Sequence, residues 1–140
     1  MTHTNYFTRI LLVDDDREDC SLFQEALSEA APEAALSCVE GGKNLLGEVE
    51  ACRPSLIVID YKLTRENGIE CVQQLKAHPE FRAIPVVMWS TSALFSQIKA
   101  AYGAGVHHYF EKPWNINELV EKLKVLVALS RWTALGAGTC

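Results

Sequence analysis

Two kinds of apolar pattern alternate along the chain. Arg9–Ile10–Leu11–Leu12–Val13 and Leu56–Ile57–Val58–Ile59–Asp60 are runs with no polar break inside them. Runs rich in β-branched residues suit strands buried on both faces, as in a parallel sheet. Leu36–Ser37–Cys38–Val39, Ile84–Pro85–Val86–Val87–Met88–Trp89 and His107–His108–Tyr109–Phe110 are further strand candidates. Between the runs the period changes to that of a helix. It is carried by Leu22, Phe23, Ala26, Leu27 and Ala30; by Leu45, Leu46, Val49 and Cys52; by Ile69, Val72 and Leu75; and by Leu94, Ile98, Ala101 and Tyr102. Leu119, Val120, Leu123, Leu126, Val127 and Leu129 carry a fifth helix to about Trp132. Pro32, Gly41–Gly42, Pro54, Asn67–Gly68, Pro79 and Gly103 supply the stops and turns. Asn115, with Glu118 three places on, forms a capping box for the last helix. Residues 133–140 are small and Gly-rich and are expected to fray.

Strand followed by helix, five times over, implies an α/β fold: a parallel sheet between two layers of helices, joined by right-handed crossovers. In such sheets ligands bind outside the carboxyl ends of the strands. Four strand ends carry polar groups: Asp14–Asp15, Asp60, Ser90 and Lys112. In the flavodoxin-like order 2-1-3-4-5 the first and third strands are neighbours, and these groups share one crevice.

Composition narrows the picture. The 140 residues imply one domain, expected over residues 1–132 with the remainder as a tail. A net charge of −5 weighs against a general nucleic-acid binder. No apolar run is long enough to span a bilayer, and Met1–Thr8 lacks the apolar core of a signal peptide. Five cysteines with no paired spacing point to reduced thiols in a cytoplasmic protein, the first four as small buried apolar residues.

Carboxylates gathered in one crevice repel: two unit charges about 4 Å apart cost about 4 kcal/mol at an effective dielectric near 20. Lys112 supplies one compensating charge. A hard divalent cation would supply two, and Mg²⁺ prefers oxygen ligands. A carboxylate flanked by Mg²⁺, a lysine and a hydroxyl is suited to receive a phosphoryl group, with Asp60 as nucleophile and Ser90 as hydrogen-bond donor to the product.

These motifs resemble the receiver domain of two-component response regulators. Ile10–Leu11–Leu12–Val13–Asp14–Asp15–Asp16, Leu56–Ile57–Val58–Ile59–Asp60, Ser90–Thr91–Ser92 and Lys112–Pro113 match in order over about residues 8–131, with 30 residues from Asp60 to Ser90 and 22 from Ser90 to Lys112. The resemblance implies a stand-alone, flavodoxin-like (βα)5 switch of the 2-1-3-4-5 order. It is not an enzyme for an external substrate, although it catalyses its own phosphorylation and dephosphorylation. Asp60 would accept phosphate from a sensor histidine kinase or a histidine phosphotransfer protein. Asp15, Asp60 and the backbone carbonyl of Lys62 would bind Mg²⁺ (or Mn²⁺), with Asp14 assisting through water. Lys112 would contact the phosphoryl oxygens, with a cis bond to Pro113. Ser90 and Tyr109 would form the switch pair, and the fourth helix, fifth strand and fifth helix would meet a downstream protein or a second copy of the chain. No nucleic acid or membrane contact is implied.

Several residues invite other readings. Asp16 fits an acid at a helix start, complementing the dipole. Thr64 stands where the family often has proline, and Lys62 occupies a variable position. His107 and His108, as adjacent strand residues, point to opposite faces and are not expected to share an ion. Asp14-x-Asp16 at a strand end also suits a metal-dependent phosphatase with Asp14 as nucleophile, but 140 residues leave little room for a cap. A flavin-binding domain would need a Ser/Thr/Gly-rich loop after the first strand, which is lacking. On the last helix, Val125, Leu129 and Trp132 form a second apolar stripe and mark an expected contact surface.

Overall fold

The structure, a computed structural model, describes residues 8–41 and 43–137, and side chains as far as residue 131. The chain alternates β1 (Arg9–Val13), α1 (Arg17–Ala30), β2 (Ala35–Val39), α2 (Leu45–Cys52), β3 (Leu56–Asp60), α3 (Gly68–Ala77), β4 (Val86–Ser90), α4 (Phe95–Ala104), β5 (His108–Glu111) and α5 (Ile116–Ala137). The strands form one parallel sheet in the order β2-β1-β3-β4-β5. β3 and β4 are buried along their whole lengths, and β1 everywhere but Arg9, as their apolar runs require.

The pleat deals residues alternately to two cores. Ile10, Leu12, Val58, Trp89 and Phe110 pack with Phe23 and Leu27 of α1 and Leu119, Leu123 and Leu126 of α5. Leu11, Val13, Ile57, Ile59, Met88 and Tyr109 face the opposite layer, with Leu45 and Val49 of α2, Val72 and Leu75 of α3 and Ala101 of α4. This alternation also decides which polar groups meet at the strand ends.

Local chemistry accounts for most boundaries. Asp16 caps α1 by accepting the Glu18 N–H, at 2.9 Å. Asn67 does the same for α3 through the Glu70 N–H, so Gly68 is the first residue of a helix and not the second half of a turn. Asn115 accepts the Glu118 N–H at 2.9 Å. Gly103 does not stop α4. Gly105 does, in the left-handed conformation at φ 113°, where its N–H reaches the Ala101 and Tyr102 carbonyls. α5 continues past its expected end near Trp132 to Ala137. The Trp132 side chain, Gly42, Cys140 and residues 138–140 lie outside the described residues.

The cysteines correct the expectation of free, buried thiols. Cys20 on α1 and Cys38 on β2 form a disulfide with Cα atoms 6.5 Å apart, and Cys38 is exposed. Cys38 pairs in register with Leu12, so it shares the sheet face on which α1 packs. That brings the two within bonding range. Cys52 and Cys71 are free, and only Cys71 is buried.

Candidate functional site

The ends of β1, β3 and β5 bring Asp14, Asp60 and Lys112 into contact. Lys112 Nζ donates to Asp60 Oδ2 at 2.9 Å and to Asp14 Oδ2 at 3.2 Å. It also reaches Asp19 Oδ2 on the first turn of α1, at 2.6 Å, and lies 4.9 Å from the centre of the Trp89 ring. The four residues meet because Asp14, Asp60 and Lys112 continue the strand positions of Leu12, Val58 and Phe110, which face α1 and α5. The remaining carboxylate oxygens are held by backbone: Asp14 Oδ1 accepts the Asp16 N–H at 2.9 Å and Asp60 Oδ1 the Lys62 N–H at 3.1 Å.

Burial sets the electrostatics. The Asp14 side chain is fully buried and that of Asp60 is 8% exposed. Loss of water pushes the Asp14 carboxyl up to about 7, against the opposing pull of the Asp16 N–H and the Lys112 charge. Burial likewise raises Asp60, with Lys112 opposing. Lys112 is pulled down by burial and pushed up more strongly by its bond to Asp19, the charge of Asp14 and its bond to Asp60, so it stays protonated.

Asp14, Asp15 and Asp60 each offer an oxygen within 4.8 Å of the others, an all-oxygen donor set suited to a hard cation such as Mg²⁺. Asp15 accepts hydrogen bonds from the Thr64 hydroxyl and N–H. Ser90 ends β4 and accepts the Ser92 N–H at 3.1 Å. Tyr109 lies on the other sheet face, its hydroxyl donating to the Ser92 carbonyl at 2.7 Å and approaching Gln97 of α4 at 3.4 Å. Burial pushes the Tyr109 phenol up, and the adjacent Ser90 hydroxyl acts against that shift.

The family model for the response regulator receiver domain matches residues 10–124. The chain belongs to this family. The receiver is 31% identical over 122 residues to response regulator Rcp1 of Synechocystis, covering 82% of this chain and 83% of that one. It is 28% identical over 120 residues to the chemotaxis protein CheY1 of Helicobacter pylori, covering 85% and 96%. Among solved structures it resembles the phosphorylated cyanobacterial phytochrome response regulator RcpA, with a TM-score of 0.77, 30% identity and 86% and 91% coverage. The Mn²⁺-bound form of Rcp1 aligns with a TM-score of 0.73, 27% identity and 85% and 91% coverage. The receiver is therefore a signalling domain of the two-component type.

Three features of the site differ from the expectation. The Lys112–Pro113 bond is trans, as is every described peptide bond; trans is favoured by about 0.5–1 kcal/mol before proline. Asp19 carries no distinguishing signal in the sequence, because an acid in the first turn of a helix complements the dipole wherever it points. Thr64 stands where the family often has proline, and its bond to Asp15 spans 49 residues of sequence. His108 is an ordinary β5 residue, stacked near Phe110, while His107 lies just before the strand and its Nδ1 accepts the Val86 N–H at 3.3 Å.

Proposed function

We propose that this receiver is a phosphorylation switch that takes a phosphoryl group on Asp60 from the phosphohistidine of a sensor histidine kinase or phosphotransfer protein. The observation that carries the reading is the Asp60 carboxylate at the end of β3, held at one oxygen by Lys112 and at the other by the Lys62 N–H, beside Asp14 and Asp15. An Asp60 oxygen attacks phosphorus, the N–P bond breaks, and the histidine nitrogen leaves with the electron pair and takes up a proton. Lys112 neutralises charge on the phosphoryl oxygens. Asp15, Asp60 and the Lys62 carbonyl would hold Mg²⁺ or Mn²⁺, with Asp14 acting through water; when bound, the cation offsets the charge of the group in transfer. The same groups would position a water for hydrolysis of the acyl phosphate. Ser90 would donate to the product, and Tyr109 would move with it. The Asp14 side chain has no exposed surface, against 8% for Asp60, which makes it the poorer candidate for a nucleophile.

Output is assigned to α4, β5 and α5. Val125 and Leu129 are about half exposed on α5, Tyr102 is exposed on α4, and Trp114 stands 93% exposed between β5 and α5. Trp114, Glu118, Lys122 and Val125 line a groove of 830 Å³ there. This surface would dock a downstream protein or a second copy of the chain. The absence of direct nucleic-acid contact fits the net charge of −5; no helix among the described residues is long and apolar enough to cross a membrane.

Intact mass after incubation with acetyl phosphate and Mg²⁺ tests the assignment. Wild type should gain one phosphoryl group and Asp60→Asn none; an adduct that survives in Asp60→Asn refutes it. Sedimentation of wild type and Val125→Glu/Leu129→Glu, with and without phosphodonor, tests the surface. A monomer in every state excludes the homodimer, and normal signalling by the double variant in its host excludes the surface.

A further inference from the structure

We infer that Asp19 is a positioning residue for Lys112 and is the carboxylate exchanged for a phosphoryl oxygen when Asp60 is phosphorylated; this rests on the phosphoacceptor reading above. A lysine ammonium has three N–H donors. Here Asp19, Asp60 and Asp14 engage all three, at 2.6, 2.9 and 3.2 Å. A phosphoryl group brings strong acceptor oxygens and a charge of about −1.5 to −2. The donor on Asp60 Oδ2 can pass to the group that Asp60 then carries; a second contact with the phosphoryl oxygens requires another partner to let go.

The three partners differ in what release costs. The Asp14 side chain has no exposed surface, and losing Lys112 would leave Oδ2 buried without that donor. Asp60 keeps its place because it carries the phosphate, and it can free only the one donor on its Oδ2. Asp19 has a quarter of its side chain in solvent and stands on the first turn of α1, where water and the positive end of the helix compensate a released carboxylate. Cys20, the next residue, is bonded to Cys38, which fixes this turn of α1 against β2. The backbone therefore stays in place and only the Asp19 side chain need rotate. Until then Asp19 holds Lys112 over the crevice and keeps one of its donors from the incoming phosphoryl group. Asp19 thus acts against phosphorylation, and through Lys112.

The test compares wild type, Asp19→Asn, Lys112→Met and the double variant. The phosphorylation rate with acetyl phosphate and Mg²⁺ is followed by intact mass, and the ¹H–¹⁵N ammonium signal of Lys112 is recorded by NMR in metal-free, unphosphorylated protein. The isosteric Asp19→Asn should be phosphorylated several-fold faster than wild type, should shift or lose the slow-exchanging Lys112 signal, and should have no effect on rate in the Lys112→Met background. A rate in Asp19→Asn equal to or below wild type overturns the exchange while leaving the phosphoacceptor reading intact. The same acceleration in the Lys112→Met background overturns action through the lysine. A wild type that takes no phosphate overturns the phosphoacceptor reading and the exchange with it. If Lys112→Met does not fold, the ammonium signal decides: an unchanged signal in Asp19→Asn overturns the positioning role.

Discussion

Gly68 begins α3 directly beneath the backbone of the proposed phosphoacceptor, and substituting it pits two effects of opposite sign. A Cβ there would lie well inside contact distance of the Asp60 carbonyl oxygen, 2.9 Å from Met88 Cε and 3.0 Å from Ile59 Cγ2. The Met88 methyl can move; the Asp60 carbonyl is part of a buried strand and cannot move without carrying the Asp60 side chain with it. Overpacking of this kind costs about 1–3 kcal/mol. Alanine returns at most about 1 kcal/mol of helix propensity, and less at the first helical position. The steric term wins, so Gly68→Ala should lose about 1–2 kcal/mol, or about 3–8 °C in Tm. Gly103 supplies the internal control. It lies within α4, and a Cβ there meets nothing within 4 Å. Gly103→Ala should therefore gain about 0.5–1 kcal/mol from the reduced freedom of the unfolded chain. Urea and thermal unfolding followed by circular dichroism measure both, and acetyl phosphate labelling should be slowed in Gly68→Ala alone. If Gly68→Ala is as stable as wild type and is labelled at the same rate, the close approach of α3 to Asp60 is wrong.

Further outcomes follow from single contacts. Asp15→Ala should abolish Mg²⁺ binding far more than Asp16→Ala, which should instead cost about 1 kcal/mol as a lost helix cap; equal losses of binding by calorimetry would reassign the ligand. Reducing Cys20–Cys38, separated by 18 residues, should lower stability by about 3 kcal/mol on a chain-entropy basis, and urea midpoints that match with and without reductant would contradict that. Cys71, whose thiol burial pushes up to about 12, should resist thiol reagents until the protein unfolds; labelling of native protein at Cys71 would refute its burial. Burial depresses the His107 pKa, helped by Lys76, so its contribution to stability is present above the ordinary value of 6.5 and is lost as pH falls through the folded value. Asp14, raised by burial, runs the other way in metal-free protein, so the readout is the difference between wild type and His107→Asn: the acid loss in urea stability should be smaller in the variant, and equal losses would refute it.

The sequence by itself determined the sheet, the order of its elements and the three acids and one lysine of the crevice. Buried parallel strands need unbroken apolar runs, so Ile10–Val13, Leu56–Ile59 and Val86–Trp89 announce themselves. Ligand chemistry at a parallel sheet's carboxyl edge then singles out Asp14, Asp15, Asp60 and Lys112 by position alone. What only the tertiary structure decided is which distant residues meet. Asp19 and Lys112 are 93 residues apart, and their contact depends on the placement of α1 over β1 and β5. The Cys20–Cys38 bond depends on the same placement, together with the register of β2 against β1. Gly103 and Gly105 are equivalent as punctuation in the sequence; only the backbone turn after Ala104 requires the left-handed conformation at one of them. Local signals are written within a few residues of their effect, whereas a salt bridge or disulfide between elements is set by how helices rotate and dock on the sheet, and that is fixed by the packing of whole faces.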